Sequence, residues 1–304
     1  MAWDEDRMHR WLLRRSVPEG LAGSAGHDAA VLVARAGRPV VCVDQTIEGV
    51  HFAPGTPAAK VGAKAAGRAL SDLAATAARP TALVLALAAP PDAEEAWLKR
   101  ALAAVGERGA RFGAELVGGD LAAAPGPIHL SVTALGVLEG RRRPPGRDRA
   151  MPGQDVLLTG PVGGSRARRH LAIEPRVAEG RWLWEQGATA LMDVSDGLAW
   201  DLHRLARASG VRIDLESVPV HPDAERAARA SGQGAGWHAL HDGEDYELIA
   251  TLAPGRAERA LAAARRVCPG LVRIGRVRRG SGLHVRADGA FARWTWEGGW
   301  RHGR

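Results

Sequence analysis

Strand-like apolar runs alternate with amphipathic helical runs along this sequence, and that alternation most limits the folds open to it. Residues 40–43, 81–88, 115–117, 128–138, 155–159, 190–192, 211–215 and 246–251 read as strands. Residues 4–15, 92–112, 198–209, 223–230 and 256–267 read as helices, as does a segment opened by Thr56 and Pro57. Asp92 and Glu95 resemble a capping box for the helix that follows them. Alternation of this kind predicts α/β (α+β) architecture, with helices packed on sheets. At 304 residues the chain is longer than one core usually supports, about 250–300 residues, so two domains are expected. The Arg- and Pro-rich stretch 140–146 is the natural linker, giving domains 1–140 and 147–304.

The longest apolar run, residues 82–89, is far short of the ~20 residues that span a bilayer, so no membrane association is expected. Cys42 and Cys268 are the only cysteines, which excludes a disulfide framework or a thiolate zinc site and suits a reducing, cytoplasmic setting. The net charge of +7 raises the question of nucleic acid. The arginines are scattered, however, and the one three-residue cluster, Arg141-Arg142-Arg143, has no aromatic residues interleaved with it. A small polyanion such as a nucleotide is the better match to a diffuse basic surface.

Chemistry concentrates where strands end. In Ala190-Leu191-Met192-Asp193-Val194-Ser195-Asp196-Gly197-Leu198 an apolar run enters a turn with two carboxylates flanking a serine. Leu198, Leu202 and Leu205 then continue at helical spacing. Two acids that close repel one another unless a cation lies between them. On the residues alone a second reading stands beside this one, that Ser195 and Asp196 only cap the helix. Val43-Asp44 and Gly119-Asp120 repeat the arrangement of an acid at a strand end or turn. Asp28 sits in a glycine turn, and Asp72 lies on a helix between two such strands. Carboxylates with no partnering His or Cys set suit hard divalent cations, Mg²⁺ in particular, which works with a few carboxylates and substrate phosphates. Glycines at 118–119 and 160–164 are placed where backbone N–H groups could approach phosphate. The P-loop and Rossmann phosphate motifs and the G-x-S-x-G elbow are all absent.

Several longer runs carry a resemblance. They are Gly26-His27-Asp28-Ala29-Ala30-Val31-Leu32, Asp44-Gln45-Thr46-Ile47-Glu48-Gly49-Val50-His51-Phe52, Leu70-Ser71-Asp72-Leu73-Ala74-Ala75 and Gly118-Gly119-Asp120. The second half adds Leu158-Thr159-Gly160, Pro175-Arg176-Val177, the acidic turn and Gly243-Glu244-Asp245-Tyr246-Glu247-Leu248. In this order the runs resemble the thiamine-monophosphate kinase family, within the superfamily of aminoimidazole ribonucleotide synthetase and selenophosphate synthetase. The resemblance implies ATP-dependent phosphorylation of thiamine monophosphate to thiamine diphosphate, in a homodimer whose N-terminal domains pair their sheets. It places ATP and Mg²⁺ at the N-terminal domain, with the C-terminal domain completing the site. By motif, Asp28, Asp44, Asp72, Asp120, Asp193 and Asp196 would hold several Mg²⁺ ions. Gly119, Asp120, Arg147 and Ser195 would contact the nucleotide, and His51, Glu244 and Trp300 the thiamine phosphate. His51 also reads as a satisfied strand-end histidine, and Trp300 as cover for a core edge.

An acceptor phosphate already carries about 1.5–2 negative charges, so no general base and no covalent intermediate are expected. Direct in-line transfer between two polyanions needs neutralisation and alignment instead. Three departures from the family pattern stand out: His27 before Asp28, Cys42 and Val43 before Asp44, and Leu121-Ala122-Ala123 after Asp120. They keep two further readings open, another ATP-using superfamily member and a nucleotide-binding paralogue with little activity.

Overall fold

In a computed structural model of the chain, residues 4–14, 19–22, 30, 32–167, 169–287 and 289–295 are described. The chain divides into two units. One holds residues 1–73, 78–140 and 171–173; the other holds 74–77, 141–170 and 174–304.

The first unit is a four-stranded sheet with helices on one face. Its strands are β1 (Arg38–Ile47), β2 (Arg79–Ala89), β3 (Glu115–Ala123) and β4 (His129–Leu138), in the order β1-β4-β2-β3. Only β2 and β3 run parallel, joined by the crossover helix α3 (Glu95–Ala110). Alternation along the strands sends Leu83, Leu85, Leu87, Leu130 and Val132 into a core shared with Leu70 and Leu73 of α2 (Ala58–Ala75) and Leu98 and Val105 of α3. The N-terminal helix α1 (Glu5–Leu13) adds Met8, and Asp4 caps it by accepting the Arg7 N–H. The opposite face of the sheet stays open. Val41 and Val43 are 69% and 62% exposed there, opposite Leu135 and Thr133 of β4.

Three local expectations fail for identifiable reasons. The residue before α3 is Glu94, whose side chain makes no capping bond, so the capping box is not formed. Thr56 does not cap α2; its hydroxyl donates to the Ala53 carbonyl at 2.7 Å. The strand at 115–117 does not stop at Gly118, because pairing with β2 carries β3 on to Ala123.

The second unit is a seven-stranded sheet in the order β11-β10-β7-β9-β5-β8-β6. In chain order its strands are β5 (Asp155–Leu158), β6 (Ala190–Asp193), β7 (Arg212–Leu215), β8 (Leu248–Leu252), β9 (Val272–Arg278), β10 (Gly282–Ala287) and β11 (Ala290–Arg293). All pairs are antiparallel except β7 with β10. The helices are α4 (Val177–Gln186), α5 (Leu198–Ser209), α6 (Pro222–Ser231), α7 (Ala235–His241) and α8 (Pro254–Ala263). Leu198, Leu202 and Leu205 of α5 pack with Val156, Met192, Ile213 and Ile274 in this unit's core. The helix α7 has no amphipathic signature in the sequence; the residues at its end read there as part of a turn.

Candidate functional site

In the first unit the acids lie on the sheet and on one helix. Asp44 is on edge strand β1, gripped by Arg68 of α2: Nε donates to Oδ2 at 2.9 Å and Nη2 to Oδ1 at 2.8 Å. Asp72 is one turn further along α2, half-buried. Asp120 is exposed on β3, the other edge strand. Register through Val132 and Leu85 brings Asp44 level with Gly119, three strands away. At ~4.8 Å per strand that is roughly 14 Å, so Asp44 and Asp120 do not meet. Gly119 itself is forced: a Cβ there would stand 2.1 Å from the Leu85 carbonyl oxygen. Leu121, the first residue of the departure after Asp120, faces the core, while Ala122 and Ala123 are exposed.

His51 follows β1 in a tight turn. Its Nδ1 accepts the Ile47 N–H at 3.0 Å, which fixes the tautomer with the proton on Nε2. Its carbonyl accepts Nζ of Lys64, a fully buried lysine of α2, at 2.6 Å. Lys64 and Arg68 shape this corner, and the sequence signal that could have singled them out is their position on the otherwise Ala-rich inner face of α2.

In the second unit two turns interlock. Asp193 ends edge strand β6 with only 2% exposure, and Ser195 and Asp196 follow, half-buried. The Val194 N–H donates to the Glu247 carbonyl, while the Glu244 and Tyr246 N–H groups donate to the Ser195 and Val194 carbonyls at 2.7 and 2.8 Å. Gly243 makes the close approach possible; its φ is +71°, and a Cβ would lie 2.7 Å from the Ser195 carbonyl oxygen. Glu244 and Tyr246 hold φ values of 56° and 55°, a conformation that costs non-glycine residues about 1–3 kcal/mol and that functional turns retain. The Glu244 carboxylate meets Nδ1 of His170 at 3.0 Å.

The residue capping α5 is Gly197, with no side-chain cap bond, so Ser195 and Asp196 are not there to cap the helix. The turn ahead of the helix is held instead by Asp201, which the sequence reading missed. Its fully buried Oδ2 accepts both the Ser195 and Asp196 N–H groups at 3.0 Å. Burial, with the nearby charges of Asp196 and Asp193, pushes the Asp201 carboxyl up to about 8. Its spacing, three residues into a helix after an acidic turn, is the only trace it leaves in the sequence.

The glycines at 163–164 correct an expectation. The Gly163 N–H donates to the Asp245 carboxylate at 3.0 Å and the Gly164 N–H to Asp242 at 2.7 Å, so these amides are occupied within the unit. Asp245 is in turn paired with Arg169. Arg147 is exposed, its carbonyl accepting the Ser209 hydroxyl at 2.8 Å. Asp28 and Trp300 lie outside the described residues. Among the described residues no group of three or more His, Cys, Asp or Glu side chains is gathered to hold a metal ion. The structure thus brings together Ser195, Asp196 and Glu244, places Asp44 and Asp72 near Arg68, and leaves Asp120, Gly119 and Arg147 apart from them within their units.

The sequence pattern of the AIR synthase related protein, N-terminal domain, matches residues 26–138, and that of its C-terminal domain matches residues 144–288. The thiamine-monophosphate kinase of Halobacterium salinarum is 36% identical over 302 residues, 93% of this chain and 96% of that one. The chain belongs to the thiamine-monophosphate kinase family. A solved member from Stenotrophomonas maltophilia superposes with a TM-score of 0.79 at 33% identity, covering 96% of this chain and 99% of that one. A second solved structure, AaThiL complexed with AMPPCP and TMP, matches with a TM-score of 0.77 at 28% identity, covering 98% and 95% of the two chains. No helix among the described residues is long and apolar enough to cross a membrane.

Proposed function

We propose that this chain is an ATP-dependent kinase that phosphorylates thiamine monophosphate to thiamine diphosphate, releasing ADP. The observation that carries the reading is the interlocked pair of turns: Ser195 and Asp196 on one, Glu244 on the other, joined by backbone hydrogen bonds in a family of kinases with this activity. The alternatives, a different superfamily reaction or a silent paralogue, have no comparable feature in their favour.

The donor set fits Mg²⁺. Asp44, Asp72, Asp120, Asp193 and Asp196 offer only hard oxygen ligands, as that ion prefers. The ~14 Å between the two edges of the first sheet means that Asp44 and Asp120 would serve different ions. When bound, Mg²⁺ neutralises phosphate oxygens and aligns them for in-line displacement. Arg68 and Arg204 hold Asp44 and Asp196 at present and would have to yield them. His51, its Nε2–H set by the Ile47 bond, can donate to an acceptor phosphate, and Glu244 can bind the cationic thiamine body. Asp28 and Trp300 complete the assignment by motif. No side chain is asked to take a proton or to carry phosphate.

A homodimer accompanies this reading. The open face around Val41, Val43, Val84 and Leu135 is an apolar surface of the kind that protein partners cover, and a second copy of the first sheet is the proposed partner. Cys42 and Cys268 form no disulfide, which agrees with the proposed cytoplasmic setting. Steady-state assay with ATP, thiamine monophosphate and Mg²⁺ should yield thiamine diphosphate and ADP in equal amounts. Without thiamine monophosphate, ADP–ATP exchange should be absent. ATP binding with no turnover would favour the silent paralogue.

A further inference from the structure

A second group of reactive side chains lies outside the proposed kinase site, where α6 meets α7. Ser231 ends α6, Gly232 turns the chain with a φ of +77°, and His238 lies on α7, with Asp242 at that helix's C-terminal cap. The Ser231 hydroxyl is 2.6 Å from Nε2 of His238. On the far side of the ring, Nδ1 is 2.8 Å from one carboxylate oxygen of Asp242 and 3.0 Å from the other. The Gly164 N–H, donating to Oδ2 at 2.7 Å, holds that carboxylate from behind. Trp237 meets the imidazole edge-on, with ring centroids 5.3 Å apart.

The direction of the hydrogen bonds follows from the groups themselves. A carboxylate only accepts, so Nδ1 carries the ring proton and Nε2 is left to accept from the Ser231 hydroxyl. The Gln233 N–H donates to the same Oγ at 3.1 Å, where it steadies negative charge on that oxygen. His238 is buried and Asp242 half-buried, whereas Ser231 is exposed. A base shielded from water thus faces a hydroxyl that solvent can reach, the arrangement that activates a serine. An exposed hydroxyl at a helix end suits a small ester with a good leaving group, which needs least help from other donors. We propose that Ser231, His238 and Asp242 form a nucleophilic site that takes acyl groups from small activated esters. Oγ bonds to the ester carbonyl carbon as its proton passes to Nε2. The bond to the leaving oxygen then breaks, and Nε2 returns the proton to that oxygen. Water attacks the acyl-serine by the same route, giving a carboxylic acid and free Ser231. Asp242 is a positioning residue that fixes the ring. The site is independent of the kinase reading, since none of the three residues is assigned to ATP, metal or thiamine phosphate.

The test uses the full chain, a fluorophosphonate probe that labels activated serines, and p-nitrophenyl acetate as the ester, with folding read by thermal melting. Mass spectrometry should place the probe on Ser231, and the ester should release a burst of about one nitrophenol per chain. Ser231→Ala should abolish both. His238→Gln should slow labelling at least ~10²-fold, the lower end of what a positioned base contributes. Asp242→Asn can keep its oxygen on the Gly164 N–H and turn its amide toward Nδ1, which makes Nε2 a donor; it should slow labelling as well. Asp242→Glu should recover part of that rate. A chain that takes no label, or takes it on another residue, overturns the proposal. So does labelling of Ser231 at the wild-type rate in His238→Gln or Asp242→Asn, because a lower melting temperature with unchanged labelling means a merely structural tie between the helices. If His238→Gln does not fold, Asp242→Asn decides: slower labelling at an unchanged melting temperature supports the proposal, and an unchanged rate overturns it.

Discussion

Asp44 and Asp196 are both half-buried aspartates paired with an arginine on a nearby helix, yet their backbones are fixed by different means. Asp44 lies inside a ten-residue strand whose ladder with β4 sets its position, and Arg68 meets it with a two-pronged bond. Asp196 lies in an irregular turn with no ladder. There a buried carboxylate supplies the acceptors that a neighbouring strand would have supplied, and a second turn closes the other side. A strand can carry a charged ligand almost without assistance. A turn needs its polar backbone groups satisfied by dedicated partners, each of which costs something to bury. The tightly built region is therefore the one where single changes should do most harm.

The largest effect is expected at Asp193, buried at the end of β6. Asp193→Asn should lower turnover by at least ~10³-fold, the scale lost when an electrostatic contact to the reacting phosphates goes, with an unchanged melting temperature. Steady-state ADP release checks it, and full activity would break the metal assignment in the second unit. Next comes the open face of the first unit. Val43→Glu places a charge in a surface that is 62% exposed in the single chain, and it should convert a dimer to monomers in light scattering. A variant that still elutes as wild type would move the interface elsewhere.

Gly243→Ala tests the interlock directly. A methyl group 2.7 Å from the Ser195 carbonyl oxygen, at a φ of +71°, should cost about 1–3 kcal/mol and lower the melting temperature by several degrees. The same change at Gly49, which has open space around it and a φ of +77°, should cost less. The smallest effect concerns pH. Burial pushes the Asp245 carboxyl up to about 7, against the pull of Arg169. The folded chain therefore keeps a proton that the unfolded chain releases near pH 4, so this group's contribution to stability falls as pH rises through that window. Asp245→Asn should remove that slope in melts taken from pH 5 to 8. A slope that persists unchanged would assign it to other groups.

Apolar periodicity made the strands, the main helices and the presence of two α/β units legible in the sequence, because alternation and helical spacing are local and the core is built from them. The runs around Asp44, Ser195 and Glu244 were legible as well, since a motif is a string of neighbours. The order of the strands, the distance from Asp44 to Asp120, and the pairing of Glu244 with His170 were not, for they depend on which distant segments pack together. Asp201, Lys64 and Arg68 were missed for the same reason: each looks like an ordinary polar residue on a helix until the fold buries it against backbone groups or an acid that must be satisfied. Capping at Thr56 and Asp92 was misread because the hydroxyl found a nearer carbonyl and the helix began after Glu94. Sequence fixes which groups a chain can offer; tertiary structure decides which of them are left needing a partner, because burial is a property of the packed molecule.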